Sequence, residues 1–377
     1  MTPTKRSVQN DETHIYDVLR SERFLKMEGL SKEVPFFIYH FPPSWTHDVE
    51  SMRDRVRTKT LEQTVAQHRA EWAERSLDQQ RLEIENNEAV ARLYDLEDEV
   101  PSHVPLERVS LTNNSAFRWP NKTPEERDVL FTESAIVDLI SYAVGCMFGR
   151  YSLDEPGLIL ADQGSTLADY LAKVPLPSFR PDADNAIPFV DDGWFEDDIV
   201  ERFRQFLRVA FGAEHFEENL RFVEESLGVK TLRDYFISKN GKSKFYDDHV
   251  QRYKKRPIYW MFSSPKGSFN VLIYLHRYTP STVSTVLNEY LREYEAKLTV
   301  ALQRAEAAAA GGGQAKDQKE AERLRKVLAE LRDYEHDVLY PLATRQIEIN
   351  LDDGVKVNYP KFYPAVKKIM GLEASDG

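Results

Sequence analysis

One cysteine, Cys146, stands in a chain of 377 residues, so neither an intramolecular disulfide nor a cysteine-based zinc site is open to it. A reducing cytoplasm is the compartment this predicts. Long apolar runs are scarce as well. The longest, Ser134 to Gly149, carries Asp138 and is shorter than the roughly 20 residues a helix needs to cross a bilayer, which predicts no membrane span. The N-terminal MTPTKRSVQNDETH has no apolar core of the kind that directs export. The nine histidines show no paired metal-ligand spacing, and the glycine cluster Gly311 to Gly313 lies between helix-forming segments, not after a strand where a phosphate or nucleotide cradle would need it.

The most informative absence is local. The chain is acidic, with a formal charge of −12, yet no Asp or Glu occurs between Asp248 and Glu289. Arg252, Lys254, Lys255, Arg256, Lys266 and Arg277 all fall in that window, interleaved with Tyr253, Tyr259, Trp260, Phe262, Phe269, Tyr274 and Tyr278. Cations among aromatics pair with phosphates and stack on bases, so one reading is a nucleic-acid-facing surface confined to this patch. The other is the core of a β-unit, built from Val271, Leu272, Ile273, Leu275 and the aromatics, with Lys254, Lys255 and Arg256 as a solvated turn before Pro257. The missing acids favour the first.

Around this patch the chain alternates helical and irregular stretches. IYDVLRSERFLKMEGL suits a short amphipathic helix, and VPFFIYHF a buried strand stopped by Pro42 and Pro43. Val49 to Tyr94 is rich in good helix formers without a wide apolar face, which predicts one or two long exposed helices. LERVSLTNN reads as a short strand or extended loop, and Thr123 with Pro124, Glu125 and Glu126 as the start of a core helix. Proline-rich residues 175–193 read as a linker, followed by two amphipathic helices. IYWMFSS and FNVLIYLHRY, joined by SPKGS, predict a β-hairpin. Thr282 to Ala310 and Lys316 to Leu339 predict an antiparallel helical hairpin, with a short tail after it. The fold class is α+β, predominantly helical, with a small β-rich unit flanked by helices.

Two further groups bear on chemistry. Asp182, Asp184, Asp191, Asp192, Asp197 and Asp198 offer carboxylates to Mg²⁺, but read more simply as a solvated loop with acids near a helix N-terminus. Cys146, among Val144, Met147 and Phe148, reads as a buried apolar filler and not as a nucleophile.

RFLKMEGLSKEVPFFIYHFPP resembles the start of BrxB, a small protein of the BREX phage-defence operons. IENNEAVARLYDLEDEVPSHVPLERVSLT, LISYAVGCMFGRYSLDEPGLILADQG, DDIVERFRQFLRVAFG and above all YKKRPIYWMFSSPKGSFNVLIYLHRYTPSTVSTVLNEYLREY resemble, in order, the C-terminal half of PglX, the adenine-specific DNA methyltransferase of BREX type 1 systems. The resemblance runs from about Leu61 onward. It implies double-stranded DNA as partner, other BREX proteins as further partners, and S-adenosylmethionine as the cofactor of the full-length family.

The catalytic half of that family, with its S-adenosylmethionine loop and Asn-Pro-Pro-Tyr tetrad, is expected to precede these blocks, and neither motif occurs here; Phe41-Pro42-Pro43-Ser44 lacks the amide. The expectation is a target-recognition part without methyl transfer of its own, as a deletion joining two genes of one operon, or a truncated defence remnant, would produce. Alternatives are a protein-interaction module acting through the helical hairpin, and one half of a split methyltransferase. In the recognition reading Arg252, Arg256, Lys266, Asn270 and Arg277 are the candidate base readers, Lys254 and Lys255 the phosphate contacts, and Tyr259, Trp260 and His276 further DNA-binding residues of the same surface. The expected divisions are a BrxB-like segment (1–57), an exposed helical segment (58–112), a helical core segment (113–174), linker plus helix pair (175–244), the recognition hairpin (245–281), the helical hairpin (282–340) and a tail (341–377).

Overall fold

The computed structural model describes residues 59–373 apart from 191, 192, 239 and 312–314; the BrxB-like segment and its expected helix and strand lie outside the described residues. The described chain divides into two units, residues 63–132 and residues 59–62 with 133–373.

The first unit is dominated by α1 (Leu61–Leu93), 33 residues with neither glycine nor proline. Side chains four apart support it: Gln67 donates to Glu71 at 2.8 Å and Gln79 to Glu83 at 2.9 Å. Val65, Trp72, Ser76 and Gln79 form its buried stripe, and Gln80 donates to the Val104 carbonyl at 2.8 Å, holding the return segment along the helix. The stretch expected as a strand or loop forms a 3-10 turn, Leu106–Arg108.

The second unit is built around a three-stranded antiparallel sheet of order β1-β3-β2, from β1 (Ala186–Pro188), β2 (Tyr259–Ser263) and β3 (Asn270–Tyr274). Trp260 lies opposite Ile273 and Met261 opposite Leu272, which in turn faces Ile187. β1 sits inside the stretch expected as a linker. Its three residues are too few to show an alternation, and Pro188, which cannot donate to a ladder, is tolerated because β1 is an outer strand. Asn185, at φ +67, prolongs the pairing by exchanging hydrogen bonds with the backbone of Tyr274.

Both faces of the sheet are covered, so its central strand reads as a continuous apolar run. Tyr259 stacks on Phe148 at 5.2 Å, just beyond α2 (Pro124–Met147). Trp260 meets Tyr359 and Phe362 edge-on from the other side, at 5.0 and 5.3 Å. The residues expected as a tail therefore close the core. They also cover the free edge of β2: Ser263 donates to the Ala365 carbonyl at 2.9 Å, Lys367 to that of Met261 at 2.8 Å, and Val366 bridges Phe262.

α2 is capped as its sequence predicts, Thr123 and Glu126 exchanging side-chain to backbone hydrogen bonds. By length and composition it alone among the described helices is long and apolar enough to cross a membrane, and 56% of that window is buried in the protein. Cys146, near its end, is fully buried, and burial pushes its thiol far up. Next come α3 (Leu167–Lys173), then α4 (Ile199–Phe211) and α5 (Phe216–Ser226) as the expected helix pair, then α6 (Leu232–Phe236) and α7 (Lys244–Arg252). Asp198 caps α4 through the amides of Val200 and Glu201 and pairs with Arg233 at 2.6 Å. Asp182 and Asp184 accept from the Ala186 amide; no carboxylate and histidine cluster able to hold a metal occurs among the described residues.

The helical hairpin comprises α8 (Arg292–Ala310) and α9 (Ala315–Tyr334). Leu298 on one helix, and Ala321, Leu324, Leu328 and Leu331 on the other, are buried, Tyr294 packs on Trp194, Phe195 and Phe269, and Glu306 and Arg325 pair between the helices at 2.7 Å. The architecture is predominantly helical α+β.

Candidate nucleic-acid interface

α7 begins at Ser243, whose hydroxyl accepts the Tyr246 amide, and buries Phe245, Tyr246 and His249. His249 accepts the Tyr259 amide on Nε2 at 3.2 Å, tying α7 to β2, and burial holds its imidazole down to about 3, hence neutral. Between helix and strand the chain reverses through Lys254 and Lys255, both left-handed at φ +50 and +62. Non-glycine residues pay about 1 kcal/mol or more each for that conformation. Lys254, Lys255 and Arg256 are exposed, while the amides of Lys254 and Lys255 return to the carbonyls of Gln251 and Val250 at 3.0 and 2.8 Å. Any ligand here meets side chains, not backbone.

At the other end of β2, roughly 15 Å of strand away, Lys266 occupies the hairpin turn. Its side chain is exposed, but its amide donates to Glu330 of α9 at 2.7 Å. The same buried carboxylate accepts the Ser264 and Ser268 hydroxyls, each at 2.6 Å. Gly267 and Gly241 lie back to back, both at positive φ, where a Cβ on Gly241 would sit 2.5 Å from the Lys266 carbonyl. Carboxylate and close approach together fix where this lysine emerges.

The remaining candidates point inward. Tyr259 and Trp260 are buried in the sheet, and the Trp260 indole donates to the Pro257 carbonyl at 3.2 Å. Asn270 is fully buried, its amide donating to the Gly267 carbonyl at 2.8 Å and its oxygen accepting from Ser263 at 2.7 Å. Arg277 is buried and donates to three backbone carbonyls, those of Asp182, Ala183 and Phe148. Arg252 pairs with Asp138 of α2. His276 is half-buried, and burial holds its imidazole down to about 4, so it brings no positive charge at neutral pH. In this structure, then, the surface expected from the sequence divides. Lys254, Lys255, Arg256 and Lys266 face solvent, while Tyr259, Trp260, Asn270 and Arg277 are occupied by the protein itself, because the side chains that make a stacking platform also make a sheet core.

Sequence reasoning missed two cations that the fold brings to the same place. Lys367 and Lys368 run antiparallel to β2 toward the Lys254–Lys255 turn, and with that turn and α7 they line a cleft of about 420 Å³. The Phe262 to Val366 bridge and the two hydrogen bonds beside it connect these segments, and nothing local in KFYPAVKKIMG announces them.

No family model matches the chain. It is 39% identical over 277 residues to the adenine-specific methyltransferase BrxX of Escherichia coli O9:H4 (strain HS), a match covering 68% of this chain and 22% of that protein. It is 32% identical over 354 residues to the adenine-specific methyltransferase PglX of Lacticaseibacillus casei (strain Zhang), covering 88% and 27%. The chain spans about a quarter of the length of the curated relatives it matches.

Proposed function

We propose, from its homology to adenine-specific methyltransferases over part of their length, that this chain is a DNA-contacting, target-recognition region of such an enzyme in a BREX phage-defence system. The observation that carries the reading is the exposed Lys254, Lys255 and Arg256 turn, lying in a stretch without a single acid in a protein of net charge −12. A cationic patch on an acidic body attracts a polyanion at one place and repels it elsewhere, which orients the duplex before any base is read. Lys254 and Lys255 act on phosphates, with Arg256 and Lys266 the side chains free to reach base edges. Other BREX proteins are further partners in this reading.

S-adenosylmethionine is the methyl donor that the relatives' activity implies. The described residues do not fit it: their sheet is antiparallel, and its one hairpin turn is filled by the Glu330 carboxylate and the contact between Gly241 and Gly267. No chemical step is assigned to them.

Binding of the whole chain to a mixed-sequence duplex, followed by fluorescence anisotropy between about 50 and about 200 mM salt, tests the reading. Affinity is expected to fall log-linearly with salt, with a slope of about −0.9 for each phosphate neutralised. A chain that binds no duplex at the lowest salt contradicts it.

A further inference from the structure

We propose that the cleft between α7 and residues 367–370 is a phosphodiester-binding site, in which Lys367 and Lys368 form one wall and Lys254 and Lys255 the other. The inference rests on the DNA reading and adds to it a second wall and a built-in anion position.

The cleft has about 420 Å³ of space, within the range of sites that hold a small ligand group. Four lysines line it against one acid, Asp247. Its apolar lining comes from Val250, Ile369 and Met370, the last 75% exposed beside the cations. Apolar surface next to ammonium groups suits a sugar-phosphate chain, whose deoxyribose is apolar beside its charge, better than it suits a free inorganic anion.

Lys367 is the distinctive member. Its backbone is pinned, its amide donating to the Met261 carbonyl at 2.8 Å and its carbonyl accepting from the Tyr359 hydroxyl. Its ammonium nitrogen is buried and has no hydrogen-bond acceptor among the described residues; the Tyr246 ring lies 5.9 Å away, at the outer limit of a cation–π contact. Burial lowers its pKa, and Asp247 opposes the shift only in part. A buried cation without an acceptor costs stability. A phosphate oxygen entering the cleft supplies that acceptor once the Lys367 side chain turns out toward it. Lys255 is oriented on the opposite wall, its ammonium donating to the Met370 carbonyl at 3.3 Å. Among the described residues Lys368 pairs with Glu373 at 3.4 Å, a largely exposed pair of little strength that a phosphate displaces.

The test uses the whole chain and a mixed-sequence duplex of about 20 base pairs over a salt series, comparing wild type with Lys367→Met and Lys368→Gln. Lys367→Met keeps the apolar stem and removes the buried charge, so its thermal midpoint should equal or exceed that of wild type. Its DNA affinity should fall about tenfold at low salt, and its salt slope should be shallower by about 0.9. Lys368→Gln should weaken binding in the same sense. Wild type that binds DNA with an unchanged slope and affinity in Lys367→Met overturns the cleft while leaving the DNA reading standing. Wild type that binds no duplex overturns the DNA reading, and the cleft with it. A thermal shift with inorganic phosphate, at concentrations where duplex DNA gives none, also overturns the phosphodiester assignment.

Discussion

Two arginines of the acid-free stretch, Arg252 and Arg277, and its lysines carry the same charge and meet opposite fates, while Arg256 stays outside with the lysines. Arg277 is inside, its planar fork spread over three backbone carbonyls, and Arg252 is paired with Asp138. Lys254 and Lys255 are outside, on a turn whose left-handed backbone costs energy and whose side chains face solvent. Two guanidiniums thus serve the fold, while the lysine turn weakens it locally. The proposed binding role would account for lysines on a turn where glycine costs less.

The largest expected effect is on the inner side of this contrast. Arg277→Met leaves the carbonyls of Asp182, Ala183 and Phe148 without their donor and should lower stability by about 3 kcal/mol in a denaturant titration, with DNA binding lost only as far as the fold is lost. Glu330→Ala should come next. It strips three donors of their shared acceptor at the hairpin turn and should cost about 2 kcal/mol. If either variant lost DNA binding while keeping wild-type stability, the division between structural and binding positions would be misplaced.

A smaller effect concerns pH. Glu295, against Glu335 at the base of the helical hairpin, has its carboxyl raised to about 7 by burial and by its neighbour's charge. The folded state therefore holds a proton that the unfolded chain releases near 4.5, so this contribution to stability is complete at acid pH and is lost as pH rises through about 7. Because the group is half-exposed, the loss should be only about 1 kcal/mol, and Glu295→Gln should flatten that part of the pH–stability curve.

How much of this was legible in the sequence follows from what each element needs. The two hairpins were readable because each is local: strand-like runs around Pro265 and Gly267, and helix formers around Gly311. β1 was not, since three residues ending in Pro188 become a strand only when β3 supplies the partner. Lys367 and Lys368 were passed over as tail, because long-range pairing with β2 is what carries them to the cleft. The burial of Tyr259 and Trp260 was one of the two readings the sequence left open, and the less favoured one. A five-residue run with aromatics at alternating and adjacent positions looks the same whether its partners are bases or Phe148, Tyr359 and Phe362.

The central claim, that the lysine turn is kept for binding at the expense of the fold, is tested most directly by Lys254→Gly with Lys255→Gly in one chain, measuring thermal stability and duplex affinity on the same preparation. Glycine accepts both positive φ angles, so stability should rise by about 1 kcal/mol. Affinity should fall, with the salt slope shallower by about 1.8 for the two lost phosphate contacts. Unchanged DNA binding in a stabilised variant would contradict the account.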